Sequence, residues 1–168
     1  MRTLLLGGFI AAAILSLEGC TVDLPESISF IVEWRLVEGA PNDLEEFVAL
    51  VRSENKVMMK EAGFFNPIRW LNYYGRLRLG AKSGLSHLYI TYEYAVEQPS
   101  GEWEDEKKTI EIKSENGNMT IGELLFRIQH QTGPELNHDD VFYFPEELIR
   151  SDEGFREGVP SYDLFLGS

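Results

Sequence analysis

The chain has a single cysteine, Cys20, and only three histidines. One cysteine excludes an internal disulfide, so the fold has to rest on its apolar core. It also excludes paired-thiolate zinc and redox motifs. His87, His130 and His138 stand at no spacing that brings two rings to one metal, so neither a metal nor a cofactor is expected. Basic residues are scarce: 15 Lys and Arg face 28 Asp and Glu, a formal charge of −13. That balance repels nucleic-acid phosphates and anionic headgroups and favours a cationic partner. A long apolar run is also lacking. Leu4–Leu17 covers about 14 residues, short of the roughly 20 that cross a bilayer as a helix.

Catalytic signatures are equally thin. Gly75–Ser83 approaches a P-loop, but Ala81 separates Gly80 from Lys82, so amides and ammonium cannot wrap one phosphate group. The chain has no Gly-x-Ser-x-Gly elbow. His87 and Glu93 share one face of an expected strand about 20 Å apart, too far for joint acid–base work.

The apolar run does have an explanation. Its length and the single positive flank at Arg2 fit the apolar region of a signal peptide. Leu17-Glu18-Gly19-Cys20 then resembles the lipobox of bacterial lipoproteins, with Glu18 where a small residue is usual. The resemblance implies cleavage before Cys20, acylation of its thiol and anchorage facing the periplasm. The absence of Asp after the cysteine (Thr21 stands there) implies the outer membrane. The expected organisation is a signal peptide over 1–19, a lipidated tether over 20–27 and one domain over 28–168. Arg2 and Glu18 cancel, so removing the leader leaves the charge unchanged. Roughly 150 residues remain, enough for one core. A 43% apolar and 12% aromatic content separates the chain from disordered ones.

Alternation predicts strands at Ile28–Val37, Leu88–Val96 and Lys107–Lys113, the last two joined as an antiparallel hairpin through Gln98–Gly101. Leu44, Phe47, Val48 and Val51 form a helical stripe behind a cap at Asn42 or Asp43. Lys56–Ala62 reads equally as its continuation or as a strand. Pro67 opens a further expected helix carrying Ile68, Leu71, Tyr74 and Leu77. Thr120 and Glu123 make a capping box for a helix with Ile121, Leu124, Leu125 and Ile128 inward, stopped at Gly133-Pro134. Val141–Phe144 reads as a short strand, Pro145–Arg150 as a helical turn and Tyr162–Leu166 as a last strand. The expected class is α+β, a mainly antiparallel sheet with two or three helices on one face.

Glu102, Glu104, Asp105 and Glu106 surround Trp103, which reads first as a solvated hairpin tip and second as an acidic contact loop with an aromatic anchor. Asp139 and Asp140, with Glu146 and Glu147, could extend it. Phe64, Phe65, Trp70, Tyr73 and Tyr74 read first as core and second as a ligand groove. The expectation is a non-catalytic envelope lipoprotein that binds proteins, in its narrowest form an immunity or inhibitor protein against a basic toxin or hydrolase. The alternatives are a small-ligand sensor and an enzyme whose site is scattered along the sequence. Cys20→Ser is expected to move the protein from the membrane to the soluble fraction on cell fractionation. Unchanged membrane association would count against acylation.

Overall fold

The computed structural model describes residues 24–30, 39–61, 79–136 and 143–167. Cys20 and the leader, residues 31–38 of the first expected strand, the segment from Phe64 to Leu77 and the pair Asp139–Asp140 lie outside these residues. Strands β1 (Ser27–Ser29), β2 (His87–Glu97), β3 (Trp103–Lys113), β4 (Phe144–Arg156) and β5 (Val159–Gly167) form one sheet in the order β1-β4-β5-β2-β3. Helices α1 (Leu44–Glu61) and α2 (Ile121–Leu136) complete an α+β fold. All neighbouring strands are antiparallel except β2 with β5, so the sheet is mixed.

One side of the sheet carries the core. Leu88, Ile90 and Tyr92 of β2 alternate inward, level with Ile110 and Ile112 of β3 and with Tyr162 and Leu164 of β5. Leu148 of β4 and Ile28 of β1 extend the layer. Phe47 and Val51 of α1 and Leu124, Leu125, Ile128 and Leu136 of α2 close over it, all fully buried. Burying each such side chain contributes about 1.5–3 kcal/mol. Period two in the strands and period 3.6 in the helices therefore meet in a single apolar cluster.

Local chemistry starts both helices. Asp43 caps α1, its Oδ1 accepting the Glu45 and Glu46 amides at 2.9 and 3.0 Å. Thr120 Oγ1 accepts the Glu123 amide at 3.1 Å, while the Glu123 carboxylate accepts from Ser114 and Arg127.

Several expected boundaries move. Lys56–Glu61 continues α1. Helix α2 runs through Gly133-Pro134 to Leu136, because Thr132, Gly133 and Leu136 are buried and hold its last turn. Pro145–Arg150 is strand, not a helical turn. Its Glu, Leu and Arg are good helix formers, but β1 and β5 pair with it on both sides, and tertiary pairing overrides propensity. A bulge falls between Pro145 and Glu147, where proline has no amide to donate. The last strand starts at Val159, after the two-residue turn Glu157-Gly158, whose φ angles of 54° and 80° mark a type I′ hairpin. Leu24–Ser27, the end of the expected tether, lies against the body: Tyr162 donates to the Pro25 carbonyl at 2.7 Å, and the Arg150 amide donates to Glu26 O at 2.8 Å.

Gly122, at the start of α2, permits the closest approach in the helix layer. A Cβ there would sit 2.9 Å from the Leu79 carbonyl oxygen and 2.9 Å from Val48 Cγ2. Alanine would gain about 1 kcal/mol in helix propensity. Overpacking against backbone costs about 1–3 kcal/mol, so Gly122→Ala is expected to destabilise by about 1 kcal/mol net. A lower urea midpoint checks this, and an unchanged or higher one refutes it.

Candidate functional site

The second side of the sheet is not covered by either helix. Alternation directs His87, Tyr89, Thr91, Glu93, Ala95 and Glu97 of β2 to it, with Trp103, Asp105, Lys107, Thr109 and Glu111 of β3. Ser161, Asp163 and Phe165 of β5 and Ile149 of β4 share that face. Three of its large apolar side chains stay exposed: Trp103 (47%), Ile149 (39%) and Phe165 (52%).

Two features shape this open face. The first is an arm. Pairing between β2 and β5 stops at Tyr92 with Leu164, whereas β2 and β3 remain paired out to Glu97 with Trp103. Residues 93–97 and 103–107 therefore form a two-stranded ribbon beyond the main sheet. The expected acidic loop is mostly strand: of its acidic residues only Glu102 lies outside β3, which begins at Trp103, four residues before the expected Lys107. Strand alternation splits the run. Trp103 and Asp105 face the open side with Glu97, while Glu104 and Glu106 face the helix side with Tyr94 and Val96. The acidic run is thus divided between the two faces of the arm.

The second feature is a groove of about 710 Å³ over the middle of the face. Its floor is Thr91, Thr109 and Ser161, and Lys107 and Asp163 line its centre. The Thr91 and Thr109 hydroxyls bond each other at 3.0 Å across β2 and β3. A wide bulge in β4 sets four residues, Ser151–Gly154, against Ser161, and Ser151 Oγ donates to the Ser161 carbonyl at 3.1 Å. That bulge carries Asp152 and Glu153 to the groove wall, and Arg156 stands beside them. The Arg156 guanidinium lies over the Tyr89 ring, 5.2 Å from its centroid. Glu93 bonds Lys107 at 3.0 Å and holds its ammonium above the ordinary lysine range, with Asp163 and Glu153 adding to the effect.

The remaining candidate residues serve structure. His87 pairs with Glu111 at 2.7 Å on the exposed face. His130 lies within α2; its ring donates to the Pro41 carbonyl at 2.9 Å and stacks edge-on against Phe126. The Lys82 ammonium of the near P-loop donates to the Asn118 carbonyl at 2.8 Å. Among the described residues no three His, Cys, Asp or Glu side chains converge as a metal site. The groove residues Arg156, Asp163, Ser151 and Ser161 were not legible as a site in the sequence. The signal that leads to them is the Glu157-Gly158 turn, which folds β4 back on β5.

On the helix side, the buried Tyr92 ring donates its hydroxyl to Glu135 at 3.0 Å, and Lys108 pairs with the same carboxylate. Burial, then this carboxylate, push the Tyr92 phenol well above the ordinary tyrosine value. The Lys108 ammonium, then the Tyr92 hydroxyl, hold Glu135 below the usual carboxyl range. The three groups lock the root of the arm to the end of α2. Comparison with protein-family models, with curated proteins and with solved structures gives no match to this chain.

A carboxyl whose folded pKa is depressed contributes fully above its ordinary value, 4.5 for Glu135, and loses that contribution as pH falls through the lower folded value. Glu135→Gln is expected to cost about 0.5–1 kcal/mol at pH 7, a figure already reduced for its partial exposure. It should also flatten the loss of stability between about pH 5 and pH 3. Urea melts across that range test it; a decline as steep as in the unmodified protein refutes it.

Proposed function

We propose that the chain is a non-catalytic binding module of the bacterial cell envelope, held to a membrane through Cys20, whose open sheet face docks a basic protein. The observation that carries this is the pairing of exposed aromatic side chains with carboxylates on one uncovered face. Trp103 and Phe165 are about half exposed there. Glu97 and Asp105 flank Trp103, and Asp163 lies on the same face two positions before Phe165. Aromatic anchors supply most of the binding energy in protein interfaces. Surrounding charge of one sign steers an oppositely charged partner and speeds encounter. The overall charge of −13 acts in the same direction. In this reading the partner is a basic toxin or hydrolase that the module inhibits.

The tagged chain is exposed to envelope and secreted proteins at low salt, and the captured protein is identified and purified. The expected partner is basic, and its association rate falls steeply between low and physiological salt. Trp103→Ala is expected to weaken binding at least tenfold, and Asp105→Lys to slow association with little change in dissociation. An acidic partner, or one that binds Trp103→Ala as tightly as the parent, overturns the proposal.

A further inference from the structure

Strand β3 is the last strand of the sheet, and its outer edge meets no other strand among the described residues. Three bonds show which of its main-chain groups point outward. The Ser114 amide donates to the Ser86 carbonyl at 2.8 Å, and the Gln98 amide to the Glu102 carbonyl at 2.8 Å. In the register of β2 with β3, the even-numbered pairs are therefore the bonded ones. The odd-numbered Ala95 amide points away from β3 and donates to the Tyr143 hydroxyl at 3.0 Å. Odd-numbered residues of β3 thus turn both N–H and C=O outward. At Glu111 the outward carbonyl accepts from the Gln131 side chain at 3.3 Å. At Asp105, Lys107 and Thr109 the outward main-chain groups bond to nothing among the described residues.

An open strand edge is a template for another strand, and lysine is a usual guard against it. Here the two lysines of this stretch lean inward. Lys107 bonds Glu93 of β2 at 3.0 Å. Lys108 pairs with Glu135 of α2, which also accepts from Tyr92 of β2. The charge left at the edge is acidic. Glu102, Glu104, Asp105 and Glu106 are exposed and form no ion pair among the described residues. A strand laid on this edge sets side chains beside Glu104 and Glu106 on the helix side and beside Asp105 on the open side. Lys or Arg there gains cross-strand attraction, whereas Asp or Glu is repelled. A second copy would bring the same carboxylates and a charge of −13, so self-pairing is opposed. The open stretch, residues 105–109, spans about 13 Å, room for five residues of extended chain.

We infer that the outer edge of β3 over residues 105–109 takes up an extended segment of a protein partner, bearing Lys or Arg, as a further strand of the sheet. Main-chain bonds to the edge supply affinity, and the carboxylates select the charge. This deepens the docking proposal by naming the part of the basic partner that is recognised, and it rests on that proposal for the partner's charge.

The test uses the full chain and three probes: the end-blocked peptide Thr-Lys-Thr-Lys-Thr-Lys-Thr, the same peptide with Glu for Lys, and spermine, a polycation without peptide groups. Calorimetry measures affinity, and hydrogen exchange followed by NMR reads single amides. The lysine peptide is expected to bind saturably and to slow exchange at Asp105, Lys107 and Thr109. The Glu104 and Glu106 amides, already bonded to β2, should change little. Such alternation marks an added strand and does not arise from charge attraction alone. The glutamate peptide and spermine are each expected to bind at least tenfold more weakly. Asp105→Thr removes the charge and keeps the outward amide, whereas Asp105→Pro removes both and leaves the bonds to β2 in place. The proline variant should bind about fivefold more weakly than the threonine variant, the loss of one hydrogen bond. Should proline unsettle the arm, the exchange pattern of the unmodified chain decides alone. Uniform protection, no protection at the odd-numbered amides, spermine binding as tightly as the peptide, or self-association that protects these amides without peptide overturns the inference. A captured basic partner that leaves the three amides exchanging freely overturns this inference alone. An acidic partner overturns the docking proposal, and strand addition is then judged by the peptides.

Discussion

Four residues of parallel pairing hold this fold together. Tyr89–Tyr92 of β2 run beside Ser161–Leu164 of β5 and join two antiparallel hairpins into one sheet. Inward, the junction is built from Ile90, Tyr92, Tyr162 and Leu164, all buried. Outward, it presents Tyr89, Thr91, Ser161 and Asp163. Both tyrosines are pinned at their hydroxyls, Tyr92 to the Glu135 carboxylate at 3.0 Å and Tyr162 to the Pro25 carbonyl at 2.7 Å. A buried phenol without a partner would cost free energy, so these bonds fix the rings as well as satisfying them.

The two ends of that pairing differ. Because it ends at Tyr92, the β2–β3 hairpin continues alone as a ribbon, and the acidic run with Trp103 projects from the sheet. At the other end of the junction, β4 sets the four residues Ser151–Gly154 against Ser161 as a bulge. The bulge re-aims side chains, as bulges generally do, and supplies a wall to the groove. The arm and the groove wall thus arise at opposite ends of the junction.

Charge is arranged differently on the two faces. On the helix side, Lys108, Glu135 and Tyr92 form one mutually satisfied group. On the open side, Lys107–Glu93 and His87–Glu111 are paired, whereas Asp163 and Arg156 are not ion-paired among the described residues. Exposed ion pairs of this kind contribute little to stability.

Periodicity alone determined much of this protein. Alternation over Leu88–Val96 and Lys107–Lys113, the stripe at Leu44, Phe47, Val48 and Val51 and the Thr120 cap gave the hairpin, both helices and most of the core. Those signals are local, because side-chain direction follows directly from the backbone period. The segment from Pro145 to Val159 was not legible: its helix-forming residues became a central strand, and its bulge put Arg156 and Asp163 around one groove. Only tertiary structure decided this, since strand pairing brings together residues whose relation depends on register and not on distance along the chain. The acidic run was visible from composition, but its division between two faces required knowing that β3 begins at Trp103. Sequence supplied the charges; the register of the sheet decided which of them meet.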